Sequence, residues 1–406
     1  MNKTLINKNL RIRQESTLAV ILIFSYCLYL LAPPWLIPSD TRWYAHLAVC
    51  IIVYMLYGKA IDINASKLYW VFAFLYLSGA ILSLLRVSDI TSGMYLIIGS
   101  AISFLTYFIL TPSLSSQRVR AWLLVALILA AIGWTIHVQS QMADLRYLLT
   151  PYYLKGPGND KNFIAFILSL AITIVFATFV VWDNPVRGLS KKLIKVGLLA
   201  LGLYFLYYVF LTYSRSGLVA TFSGLLGVLA LYLKKRGLGI GPIVVLTIVG
   251  FSGYYFLIAQ LPQLAPQWVG YFDEDRLGMR VTDIQKAVAI ISENPIIGIG
   301  IDQTKNSYSV FGQIESFERG LPHNLYLKAW AEVGLLGIIG FGSWIFFFLK
   351  KIRYDFPNLS MVDQIWMMAF IPLFTMLAFL DLSTIAYLLL ALMAGIFYLK
   401  PDKVGA

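Results

Sequence analysis

The sequence predicts an all-α polytopic membrane protein of about 12 transmembrane helices with one large loop outside the membrane. Three observations lead there. Hydrophobic residues make up 59% of the 406 positions and charged residues only 13%, whereas soluble globules sit nearer half and a quarter. Apolar runs of about 17–25 residues recur from end to end, each long enough to cross a hydrocarbon core of roughly 30 Å as a helix. Most connections between them are short; about 140–161 and about 259–324 are the exceptions. A single transmembrane domain over residues 1–406 then leaves no room for a second, soluble one.

The chain opens with Lys3, Lys8, Arg11 and Arg13. The apolar run behind them is long and lacks a small-residue cleavage site, so it reads as an uncleaved first helix over 17–37 rather than a signal peptide. Further spans are expected at about 43–58, 68–85, 93–111, 121–139, 162–182, 194–213, 217–233 and 240–258. Cys27 and Cys50 lie inside the first two and read as small core residues, not a disulfide framework. The loop 259–324 follows the ninth span. Its first part, LPQLAPQWVGYFDEDRLG, is rich in Pro, Gly and aromatics and reads as irregular. Arg280 then opens an amphipathic helix, with Val281, Ile284, Val288 and Ile291 on one face. Such a helix beside a bilayer tends to lie in the interface. Asn294-Pro295 ends it, and Gly298 and Gly300 mark turns. The last spans are expected at about 325–349, 362–380 and 383–399.

Orientation follows from Lys and Arg in the short loops. With both termini in the cytoplasm, roughly 20 of the 32 basic residues fall inside and about 6 of the 20 acidic ones. The inner side is then roughly +14 and the outer roughly −2, of a net charge of +12. The basic balance thus reports orientation and attraction to anionic membrane lipid, not nucleic-acid binding. It also puts both long loops on the outer face.

That face collects the groups able to do chemistry. His323 stands at the start of the tenth span, behind Pro322, which favours a helix start. Arg215 sits in YSRSG, residues 213–217, in a tight turn between spans seven and eight. Arg280 is in the loop helix, Arg86 follows span three, and Arg146 lies beyond span five. Lys155 and Lys161 flank GPGND ahead of span six. Simpler roles compete. Arginines at helix ends such as Arg42 or Arg86 snorkel to headgroups. Ser214 and Ser216 are natural caps for the next helix, and Arg280 has Asp273, Glu274 and Asp275 nearby to pair with. His46 and His137 fall within spans and read as structural.

Guanidinium groups are permanently charged forks that match phosphate oxygens two at a time. Several of them at the membrane surface suit a lipid-linked diphosphate, and would stabilise it as a leaving group. A histidine there suits a general base that takes a proton from an attacking hydroxyl. Asp381, at the outer end of span eleven, is a candidate to orient it. No outer-face His/Cys cluster suggests a metal, and the Asp-x-Asp pattern at 273–275 is too short to argue for one. No Walker loop or Gly-x-Ser-x-Gly elbow occurs.

Three stretches, in order, resemble the O-antigen ligase and polymerase superfamily of bacterial envelope glycosyltransferases. YSRSGLVA at 213–220 is similar to its Ser-Arg turn, RVTDIQKAVAIISENPIIGIGIDQ at 280–303 to its Arg-to-Asn-Pro-Gly segment, and PHNLYLKAWAEVGLLG at 322–337 to its His-Asn helix. The resemblance implies a GT-C-like membrane fold with a periplasmic loop at 259–324. It implies metal-independent transfer of a polysaccharide from undecaprenyl diphosphate to a sugar hydroxyl of lipid A–core, at the periplasmic face of the inner membrane and without a cofactor. Arg215 and Arg280 would hold the diphosphate and His323 would activate the acceptor. Arg86, Arg146, Asn324 and Asp381 would line the substrate site. The turn continues Ser-Gly where ligases commonly have Gly-Ala, so a polymerase or a protein O-oligosaccharyltransferase of the same superfamily stays open. A carrier of lipid-linked glycans is the competing class. Carriers place ionisable residues or broken helices near mid-membrane, and the spans here read as nearly free of mid-depth charge.

Overall fold

The computed structural model describes residues 67–87, 117–142, 161–181, 189–212, 214–237, 274–301, 303–304, 324–355 and 359–378, with isolated positions between 48 and 101 and at 245. Among them all regular structure is helical. Helix α1 is Lys67–Ser83, followed by a 3-10 turn, Leu84–Arg86; α2 is Gln117–Met142, α3 Lys161–Val181 and α4 Leu189–Leu211. Then come α5, Arg215–Lys235; α6, Glu274–Glu293; α7, Leu325–Asp355; and α8, Met361–Leu377. Of these, α2, α3, α4, α5 and α7 are long and apolar enough to cross a membrane. These helices are consistent with an all-α membrane protein. The expected spans at 17–37, 43–58, 93–111, 240–258 and 383–399 lie largely or wholly outside the described residues.

Helix α3 is apolar on every side, and a helix of that kind belongs in the middle of a bundle. Its residues from Phe163 to Val175 are all buried, enclosed by α2, α4, α5 and α8. Apolar burial cannot drive such packing in lipid, so close approach and polar contacts do it. Small residues on α5 allow the approach: a Cβ added at Gly217 would strike the Ala165 side chain, and one at Gly224 the Thr173 hydroxyl. Ser169 Oγ meets the Gly217 carbonyl at 3.0 Å and Thr221 Oγ1 at 2.8 Å, bonding the two helices together. At one end of the bundle Arg120 and Asp363 form a buried ion pair at 2.7 Å, and Trp366 Nε1 donates to the Arg120 carbonyl at 3.0 Å.

A second group is α1, α6 and α7. Here two expectations change. The loop helix starts at Glu274, so Arg280 lies in its second turn rather than opening it. Its acidic start favours the N-terminal end of a helix dipole, and one glycine inside, Gly278, costs only about 1 kcal/mol. Its packed face is Ala287, Ile290 and Ile291, while Ile284 and Val288 remain exposed. The tenth span is not one straight helix. α7 breaks at Gly334, with φ 73° and ψ −159°, a backbone region open essentially to glycine alone.

The break is held by a strap, residues 294–301. Ile299 N donates to the Ala331 carbonyl at 2.9 Å, Gly300 N to the Glu332 carbonyl at 3.1 Å, and Leu335 N to the Ile296 carbonyl at 3.0 Å. Positive φ at Gly298 and Gly300 lets the strap lie this close; a Cβ at Gly298 would collide with the Glu332 carbonyl. The helix end expected at Asn294 is where the strap begins, and the turns expected at Gly298 and Gly300 lie within it.

Candidate functional site

Several of the predicted groups share one end of the bundle. Asn162, at the start of α3, touches Ser214 and Ser216, so α3 and α5 begin together. Tyr326, at the start of α7, donates its hydroxyl to the Phe374 carbonyl at 3.0 Å. Its neighbour Thr375 meets Ser223 Oγ at 2.8 Å. The first turns of α5 and α7 and the last turn of α8 therefore lie toward the same end. Gly79 faces Val333 and Leu336, while Ser83 Oγ accepts from Ile301 N at 3.1 Å beside the Glu332 contact. So α1 runs antiparallel to α7 and ends, at Arg86, on that side too. The Arg120–Asp363 pair is at the start of α2 and α8, at the other end.

Arg215 is the first residue of α5, and the turn before it is braced on both flanks. Ser214 Oγ accepts from Gly217 N at 3.0 Å and so caps the helix. The same hydroxyl donates to Asn162 Oδ1 at 2.7 Å, and Ser216 Oγ reaches that oxygen at 3.3 Å. The expected cap is Ser214; Ser216 belongs to the brace. Both serines are buried, so a half-buried guanidinium stands on a fixed base at the positive end of a helix. Lys161, also half-buried, begins α3 next to Asn162.

Asn324 caps α7, its Oδ1 accepting from Tyr326 N at 3.0 Å and Leu327 N at 3.1 Å. Its carboxamide oxygen is thereby committed to the helix, directly after position 323. Arg86 Nη1 donates to Asn294 Oδ1, where α6 ends and the strap begins. Arg280 is placed by its backbone in α6, and its side chain lies outside what is described. His323, Arg146, Asp381 and Lys155 lie outside the described residues. His137 packs edge-on against Trp134, ring centroids 5.3 Å apart.

The bonds found include groups that sequence reasoning passed over. Asn162 is the hub of the Ser-Arg turn, and only its position two residues past Asp160 marks it. Lys328 and Glu332 are buried in α7, at 5% and 3% exposure, and Glu332 Oε1 accepts from Thr304 Oγ1 at 2.5 Å. They correct the expectation of spans nearly free of internal charge: Glu332 lies two residues from the helix break. The sequence did carry a signal, since ionisable residues within an apolar run mark function by default. Among the described residues no group of His, Cys, Asp or Glu could hold a metal.

Helices long enough to span a bilayer, a basic turn on a capped helix and a broken helix with buried charges define a membrane protein with a polar site at one end. Residues 198–342 match the family model described as O-Antigen ligase. The match supports the O-antigen ligase superfamily over that stretch, a glycosyltransferase-like class. No curated protein matches the sequence.

Proposed function

We propose that the protein is an O-antigen ligase of a bacterial inner membrane, with about 12 spans, both termini cytoplasmic and the loop 259–324 in the periplasm. It moves a polysaccharide from undecaprenyl diphosphate to a sugar hydroxyl of lipid A–core. His323 takes the acceptor's proton, and its oxygen attacks the sugar carbon bonded to the diphosphate. The diphosphate leaves with both electrons of that bond, its charge met by Arg215 and Arg280, and no metal is required. Arg86, Arg146, Asn324 and Asp381 serve substrate positioning. One observation carries the reading: the single matched segment, 198–342, contains Arg215, Arg280 and His323 in order.

A deletion strain tests it. Free lipid A–core beside unattached long polymer supports ligase. Core carrying a single repeat unit means polymerase, a reading that the Ser-Gly after Arg215 leaves open. The broken α7 with its buried Lys328 and Glu332 is what a carrier would also show. Transfer by purified protein from a lipid-linked donor to core separates the two. His323→Ala is expected to lose most transfer while inserting normally, and Arg215→Lys to be impaired, because a point charge does not replace a fork. Wild-type transfer in His323→Ala would remove the mechanism.

A further inference from the structure

Glu332 is where three features of α7 meet. Its carboxylate accepts the Thr304 hydroxyl at 2.5 Å, its own carbonyl accepts Gly300 N at 3.1 Å, and the helix breaks two residues further on, at Gly334. Thr304 is fully buried and Glu332 is 3% exposed, so water does not weaken the bond between them. The strap, which meets the Glu332 carbonyl at Gly300 and precedes Thr304 by three residues, is the direct continuation of α6. Ile290 and Ile291 near the end of α6 pack on Leu327, Trp330 and Ala331 of α7, and Trp330 Nε1 donates to the Pro295 carbonyl at 3.2 Å. The strap also reaches α1, through Ile301 N to Ser83 Oγ and through Asn294 to Arg86. The end of α6, the strap, the first turns of α7 and the end of α1 are thus one bonded unit, with Glu332 at its inner edge.

We infer that Glu332 is a positioning residue: by holding Thr304, three residues past the strap, against the broken helix it keeps the strap in place and so fixes α6, which carries Arg280, against the start of α7, which follows His323. This rests on the roles proposed above for Arg280 and His323. Glu332 contacts neither substrate in this reading. It acts through the distance between a donor-binding cation and the base, and transfer is steep in such distances because a displacement near 1 Å costs on the order of 10²-fold. A carboxylate suits the task. It accepts strongly from a buried hydroxyl, and an apolar replacement would leave the Thr304 hydroxyl without its acceptor.

The test uses the full chain in lipid nanodiscs, with Glu332→Ala, Glu332→Gln and Thr304→Val. Three quantities are read: amide hydrogen exchange at Ile299 and Gly300, kcat and KM for transfer from a lipid-linked donor to core, and the melting temperature. Glu332→Ala is expected to raise exchange at both amides and to lower kcat on the order of 10²-fold, with donor KM moved far less. Glu332→Gln keeps an oxygen that accepts the same hydroxyl, so it should stay within about threefold of wild type in kcat. Thr304→Val removes the bond from the other side and should shift exchange and kcat in the same direction, which carries the test if Glu332→Ala does not insert. Unchanged exchange, unchanged kcat, or Glu332→Gln as inactive as Glu332→Ala each overturns the inference. If instead wild type transfers nothing and His323→Ala is indistinguishable from it, the ligase reading fails and the positioning role falls with it. Exchange at 299 and 300 then still reports whether Glu332 anchors the strap, which separates the two failures.

Discussion

Gly334→Ala probes the helix break directly. At φ 73° and ψ −159° alanine pays about 1–3 kcal/mol of backbone strain. The new Cβ would also sit 2.6 Å from the Ile296 carbonyl carbon, inside the 3.0 Å that real Cβ atoms keep. The alternative is an unbroken α7, in which the Ala331 and Glu332 carbonyls accept from residues 335 and 336. Alanine favours that helix over glycine by about 1 kcal/mol. Strain and propensity together move the balance away from the strapped form by about 2–4 kcal/mol, or roughly 30- to 700-fold in population. Opposing them are three backbone bonds between strap and helix, each contributing about 0.5–1.5 kcal/mol. The two sides are of similar size, so the strapped population should fall measurably rather than vanish. Amide exchange is the assay, read at Ile299, Gly300 and Leu335 in nanodiscs, with transfer measured alongside. Gly342→Ala in the same helix is the control: a Cβ there meets nothing within 4 Å, so it should be neutral or slightly stabilising. Exchange and melting unchanged in Gly334→Ala would refute the claim that glycine is required to hold the break.

Three further outcomes follow from the packing. Arg120→Leu strands the Asp363 carboxylate and should cost about 3–5 kcal/mol; adding Asp363→Asn, which keeps the Ser360 bond without the charge, should recover most of it, and a double variant as unstable as the single would count against a buried pair. Ser214→Ala removes the α5 cap at about 1–2 kcal/mol and should lower transfer. Because Ser214 and Asn162 share one bond, Asn162→Ala should be non-additive with it by about 0.5–3 kcal/mol, and strict additivity in melting would deny the brace. Gly224→Leu has no space against Thr173 and Pro372, so it should fail to accumulate as a monodisperse protein on size exclusion.

What was legible in the sequence had local causes. Long apolar runs make helices wherever they occur, so α2, α3, α4 and α5 arrive within a few residues of their expected limits. Ser214 caps because serine before a helix does so, and Asn294-Pro295 stops α6 because proline cannot continue it. What stayed hidden depends on partners far along the chain. Gly334 in an apolar helix reads as a small interface residue; only the strap, roughly 40 residues earlier, makes it a break. Arg120 counts as one more inner-side charge until Asp363, 243 residues on, takes it up. The resemblance to an enzyme family pointed to the arginines and histidine. It said nothing of Asn162 or Glu332, which bond to Ser214 beside the Ser-Arg turn and to Thr304 past the strap.

The same distinction bears on how the site could achieve transfer. Arg215 stands on a capped helix whose neighbours are serines bonded into α3, within the α2–α5 and α8 bundle. Arg280 and the start of α7 belong to the second group, tied through the strap. These two bodies share one apolar core, in which Tyr76 and Phe341 pack with residues of α3 and α8, and in the proposed mechanism a diphosphate would take one cation from each. Among the described residues, Tyr326 of the second group donates to the Phe374 carbonyl of α8 at 3.0 Å, a bond that joins the two. Charge at the leaving group is best met when both are in place. A variant that loosens only one body, such as Glu332→Ala or Ser214→Ala, should therefore slow transfer more than it weakens donor binding.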